Sequence, residues 1–189
     1  HDTFKIEDQR LVRIFPIYNK GDTNKNPTGG RRKLVYGLYP GEAMWQLKVE
    51  EAEDLSVFTG EANILQSWHG DYPLNQLDIL PENQRQHSVG FIGDAKTFKA
   101  LWKAFKPGET VPEIDFKANL VLFARNTQFF NRIRIGKVNV TNGVAEVLAM
   151  ETMSAMPIED NVFISLVVVA RQGMTALQMG NEITPVNER

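Results

Sequence analysis

The sequence predicts an α+β protein, dominated by antiparallel sheet of sandwich-like character, with one amphipathic helix over about 94–105 packed on it. Three observations carry this. Phe98, Leu101, Trp102 and Phe105 fall at i, i+3, i+4 and i+7, one continuous apolar stripe on a helix. Asn142-Gly143 sits between the β-branched runs Val138–Val140 and Val144–Leu148, and both residues tolerate the positive φ of a two-residue hairpin turn. Leu120–Ala124 and Val162–Val169 are apolar on both faces, as strands covered on both sides are. With 189 residues and 42% hydrophobic content the chain can bury an ordinary core. It reads as a single domain, 1–189, or as an N-terminal β lobe, 1–86, beside a C-terminal α+β lobe, 87–189.

Residues 10–18 carry Leu11, Ile14, Phe15 and Ile17 and suit a first strand. Asn19–Lys33 has no apolar residue and is expected to be an exposed loop; Lys20, Lys25, Arg31, Arg32 and Lys33 against Asp22 make it basic. Strands follow at Leu34–Tyr39 and Trp45–Val49, separated by the turn signal Pro40-Gly41. Glu50, Glu51, Glu53 and Asp54 then read as a solvated edge. Leu55–Leu65 is expected to return as strand, and Pro73–Leu80 to form a short helix stopped by Pro81. Ser88–Gly93 leads into the principal helix, which Asp94 can cap and which Pro107-Gly108 ends. After the hairpin and the Val162–Val169 strand, Gly173–Ile183 is expected to give one short final strand.

Composition excludes more than it assigns. A net charge of −2 gives no general attraction to a polyanion, so no nucleic-acid partner is expected. The longest apolar run, Val162–Ala170, falls far short of the roughly 20 residues of a spanning helix, so no transmembrane segment is expected. The absence of cysteine removes disulfides, thiolate metal sites and thiol nucleophiles. The chain starts at His1 rather than Met, which predicts removal of a leader and a periplasmic or secreted location. The signature motifs of serine hydrolases, phosphate loops, dinucleotide sites and zinc peptidases are missing, so no catalytic residue is assigned.

Three histidines are present, His1, His69 and His87. An N-terminal histidine offers an amine and an imidazole nitrogen together, and with His87 or His69 it could hold copper, the cofactor this reading implies. His1 in this respect resembles the histidine brace of secreted copper proteins and polysaccharide monooxygenases. Against that stands an accident of processing. Met150, Met153 and Met156 offer soft sulfur ligands, but strand alternation separates them, and core filling is the ordinary role of methionine. Trp68-His69-Gly70-Asp71-Tyr72 reads as a loop anchored by Trp68 or as the lining of a cleft. Phe129 and Phe130, bracketed by Arg125, Arg132 and Arg134, form a candidate partner surface; if Ile133 and Ile135 face inward, Arg132 and Arg134 share the outward side.

Val89-Gly90-Phe91-Ile92, Phe98-x-x-Leu101-Trp102-Lys103-Ala104, Pro112-x-x-Asp115-Phe116 and Asn119-Leu120-Val121 together resemble a pattern in uncharacterised exported bacterial proteins of planctomycete type, over about residues 88–171. The resemblance implies an envelope or secreted location and no activity. The function expected is a non-catalytic binding or accessory subunit with a protein partner in the envelope; the alternative is a copper-binding or copper-dependent redox protein using His1.

Overall fold

The computed structural model describes residues 2–18, 30–55, 57–154 and 156–186. The chain divides into two compact units, His1–Val57 and Phe58–Arg189. Where the sequence placed an optional lobe boundary at 86/87, the segment 64–73 belongs to the second unit because it hydrogen-bonds along the full length of a strand made near the chain's end.

The first unit is a four-stranded antiparallel meander, β1 (Thr3–Glu7), β2 (Arg10–Pro16), β3 (Arg31–Pro40) and β4 (Trp45–Leu55). The expected strand at 10–18 is β2. Its partner β1 has no sequence counterpart: the turn between them is made by Asp8 and Gln9, both at positive φ, without the Asn-Gly pair that signals such turns. Lys20 and Lys25 of the expected basic loop lie outside the described residues. Arg31, Arg32 and Lys33 do not belong to a loop; they open β3, opposite Pro16, Phe15 and Ile14. The acidic cluster lies on the edge strand β4, as solvated side chains.

The second unit is layered. One sheet has the order β6 (Ile64–Pro73), β11 (Asn161–Ala170), β8 (Asn119–Arg125), β7 (Val89–Ile92); the other has β13 (Glu182–Pro185), β12 (Ala176–Met179), β10 (Val144–Glu151), β9 (Ile133–Thr141), β5 (Gly60–Glu61). All pairings are antiparallel except that of β10 with β12. Alternation along β8 and β11 feeds two cores. Leu120, Leu122, Ala124, Val167 and Val169 face the second sheet and meet Ile135, Val138, Val140, Ala145 and Leu177. Val121, Phe123, Ile164, Leu166 and Val168 face the other way, onto Phe98, Leu101, Trp102 and Phe105 of α1 (Ala95–Phe105). Strands that read as apolar on both faces are therefore the middle layer, and β11 is the central strand expected.

Local signals behave as their chemistry requires. Asp94 caps α1, its carboxylate accepting from the Thr97 amide at 2.9 Å and the Thr97 hydroxyl at 2.8 Å. Asn142 and Gly143 take φ of 51° and 78° at the β9–β10 turn. The segment 74–79 is helical, but as a 3-10 turn. Two expectations fail. Leu55–Leu65 is no single strand, because the chain turns at Phe58, whose amide donates to the Gly173 carbonyl at 3.0 Å, before the short β5. Gly173–Ile183 makes two short strands instead of one, folded back at Gly180, where φ is 61°. Among the described residues no helix is long and apolar enough to cross a membrane.

Candidate functional site

The residues singled out at 129–134 sit where β9 leaves an irregular segment. Ile133 and Ile135 are buried, and Arg132 and Arg134 are exposed, so alternation sends both guanidinium groups outward. Phe129 is 42% exposed. Phe130 is half-buried and meets Phe163 edge-on, with centroids 6.5 Å apart. The backbone here is fixed by the opposite segment. Phe129 bridges to Pro157, the Phe130 amide donates to the Met156 carbonyl at 3.0 Å, and the Ser154 amide donates to the Asn131 side chain at 2.9 Å.

That pairing brings the methionines to the same place. Met150 stands directly opposite Arg134 across the β9–β10 ladder, on the same outward face. Met150, Met153 and Met156 are exposed by 73%, 100% and 57%, so the core-filling role expected of them is wrong. The reason is the bulge between Leu148 and Ala149 and the end of β10 at Glu151, beyond which the chain follows the 129–132 segment instead of entering a layer. An apolar surface of flexible thioethers and one phenyl ring, flanked by two arginines, results.

His69 borders this surface. It lies on the outer strand β6, on the face toward the second sheet, opposite Ser165, and its ring is 6.1 Å from that of Phe163. A guanidinium nitrogen of Arg134 donates to His69 Nε2 at 2.9 Å. Desolvation, with the charges of Arg134 and Lys106 behind it, holds the imidazole below its ordinary pKa, so it is neutral at neutral pH. Its lone pair is engaged and two cations face it, a poor setting for a metal ion.

His87 lies elsewhere, just before β7 at the other edge of the same sheet, with Nε2 3.8 Å from a Glu182 carboxylate oxygen. Three strand spacings separate the backbones at β6 and β7, about 14 Å. The structure does not bring His69 and His87 together; His1 lies outside the described residues. Among the described residues no cluster of three or more His, Asp or Glu side chains has ligating proximity.

The Trp68–Tyr72 stretch is strand rather than loop, and its aromatics serve the core. Trp68 packs 5.1 Å from Trp102 and 6.1 Å from Phe98. Tyr72 is fully buried, donates to the Gln76 carbonyl at 2.9 Å, and has its phenol pushed well above the usual range by burial. The anchoring role holds and the cleft reading does not.

Two concavities also open on this unit. One, of about 290 Å³, is lined by Ser88, Arg125, Asn126, Gln128 and Glu151, among others. Its polar groups are turned on each other: Asn126 donates to Glu151 at 2.8 Å and accepts from the Gln128 and Phe129 amides. The other, about 1150 Å³, opens beside the start of α1, where Asp94 caps the helix and Asp115 accepts from the Lys117 amide. Neither assembles a nucleophile with a base.

No protein family, curated protein or solved structure matched this chain. The surface must therefore be read from its own chemistry.

Proposed function

We propose that this chain is a non-catalytic binding subunit that takes a protein partner on the surface formed by Phe129, Phe130, Arg132, Arg134, Met150 and Met156. The observation that carries the reading is the exposure of Phe129 and the three methionines beside two outward arginines on a backbone fixed by hydrogen bonds between the 129–132 and 152–157 segments. Thioethers adapt to varied shapes, aromatic and arginine side chains supply most of the energy of small interfaces, and the rigid backbone keeps the ordering cost low. The partner this chemistry suits presents an apolar side chain next to carboxylates. An envelope or secreted location belongs to the same proposal and is checked by fractionation.

The test uses a photo-crosslinking amino acid at Phe129 in cells that make the protein naturally. A single adduct, lost when Arg134→Glu is added and not formed from a crosslinker at the exposed Lys99 of α1, supports the proposal. No adduct at Phe129, or the same adduct from both positions, overturns it.

A further inference from the structure

The register of the first unit sorts its side chains into two unlike faces. Phe4, Ile6, Leu11, Phe15, Leu34, Tyr36, Leu38, Trp45, Leu47, Val49 and Ala52 occupy positions linked by direct cross-strand pairing, as in Ile6↔Leu11↔Tyr36↔Val49 and Leu38↔Leu47, and so share one face. Lys5, Glu7, Arg10, Lys33, Lys48, Glu51 and Glu53 share the other with Val12, Ile14, Val35 and Tyr39, and there Val12 and Val35 are buried. A β-bulge keeps the sorting intact. Two residues, Glu50 and Glu51, oppose the single step between Val35 and Tyr36, so both carboxylates stay on the charged face while Val49 and Ala52 stay on the apolar one.

This apolar face is open. Phe4, Ile6, Leu38, Trp45, Leu47 and Val49 are each exposed by between 51% and 69%. Together with the half-buried members of the face they leave roughly 700–800 Å² accessible, above the roughly 300–600 Å² of the largest apolar patch a monomer ordinarily exposes, and two such faces in contact would cover about 1,500 Å², the size of a stable interface. Its charges do not oppose a meeting of like with like. Arg13 is paired with Asp2 at 2.5 Å and lies over the rings of Phe15 and Phe4, and Arg32 is paired with Asp54. Each cation on the face thus brings its own anion, and the remainder is uncharged. A flat sheet with one apolar side is covered most simply by a second sheet about 10 Å away.

We infer that the occupant is a second copy of this chain: the apolar faces of two β1–β4 sheets pack against each other across a two-fold axis to form an intermolecular β-sandwich. The contact is isologous and closes at two, since each copy offers the face once. It is independent of the Phe129–Arg134 surface.

The chain's lack of cysteine makes the test direct. Sedimentation of the full protein at tens of micromolar is expected to give a dimer, and Leu38→Lys with Leu47→Lys to give a monomer with an unchanged circular dichroism spectrum. Because those variants could lose structure, single cysteines are placed separately at Val49 and Lys48, on opposite faces. A short bis-maleimide is expected to join two copies through Val49→Cys and not through Lys48→Cys. A wild-type monomer, a dimer that survives the folded double variant, or equal crosslinking from both cysteines overturns the inference. A monomer that instead binds neutral phosphatidylcholine vesicles through Trp45 overturns it in favour of a lipid surface.

Discussion

At the scale of single residues, His69 is the group whose chemistry the fold alters most usefully. Its imidazole is held neutral by desolvation and by the Arg134 and Lys106 charges, so its pKa in the folded chain lies below the unfolded value of about 6.5. The unfolded chain therefore binds a proton first as pH falls, and stability present above pH 6.5 is lost as pH drops toward the folded pKa. Denaturant midpoints measured from pH 7.5 to 5 should decline, and His69→Gln should flatten that decline. Copper gives a second residue-scale test. His69 and His87 have separate neighbours at opposite sheet edges, so Cu(II) uptake followed by electron paramagnetic resonance should be the same in wild type and in the His69→Ala, His87→Ala double variant. A loss of nitrogen coupling in that variant would show that at least one of these histidines ligates the metal.

Legibility also divides at this scale. Ile133 and Ile135 could be placed inward, and Arg132 and Arg134 outward, because strand alternation is a strict geometric rule. The methionines could not. Their exposure depends on where β10 stops, and that is decided by side-chain bonds such as Asn131 to the Ser154 amide, between residues far apart in sequence. Nothing in the sequence tied Lys106 or Phe163, which flank His69 in space, to that histidine.

At the scale of elements, α1 was fully legible, since its cap, apolar stripe and stop are local. Removing the cap with Asp94→Ala should cost about 1 kcal/mol in denaturant unfolding. Leu101→Ala, at a wholly buried position, should cost about 2–5 kcal/mol, whereas the exposed Lys99→Ala should change stability by less than about 0.5 kcal/mol. β7 carries a sharper constraint. A methyl group on Gly90 would stand 2.3 Å from the Phe123 ring and 2.4 Å from Gln84 Oε1. The Gln84 side chain is itself buried and accepts from the Phe91 amide at 2.6 Å. Gly90→Ala should therefore displace packing and a buried hydrogen bond together, at about 1–3 kcal/mol by thermal unfolding. The elements hardest to read, β1, β5 and the split β12–β13 pair, are short, and their partners rather than their own propensities define them.

For the molecule as a whole, the strand patterns and the amphipathic helix made the β-rich architecture readable, and the doubly apolar strands marked the middle layer, while the order of strands within the sheets did not follow from any local pattern. It depends on β11 lying between β6 and β8, and that order has a consequence during synthesis. β6 emerges from the ribosome early, but the strand it pairs with is made roughly a hundred residues later, a wait on the order of 5–20 s at ordinary elongation rates. Through that interval neither core can close, because Ile164, Leu166, Val167 and Val169 do not yet exist as polypeptide. Nascent chains arrested before residue 160 should remain protease-sensitive throughout the second unit, and resistance should arise only in chains long enough to bring β11 and then Ala176–Met179 out of the exit tunnel. Until Asn161–Ala170 has been made, Leu120–Ala124 lacks the strand that pairs with it, and its apolar side chains stay open to aggregation.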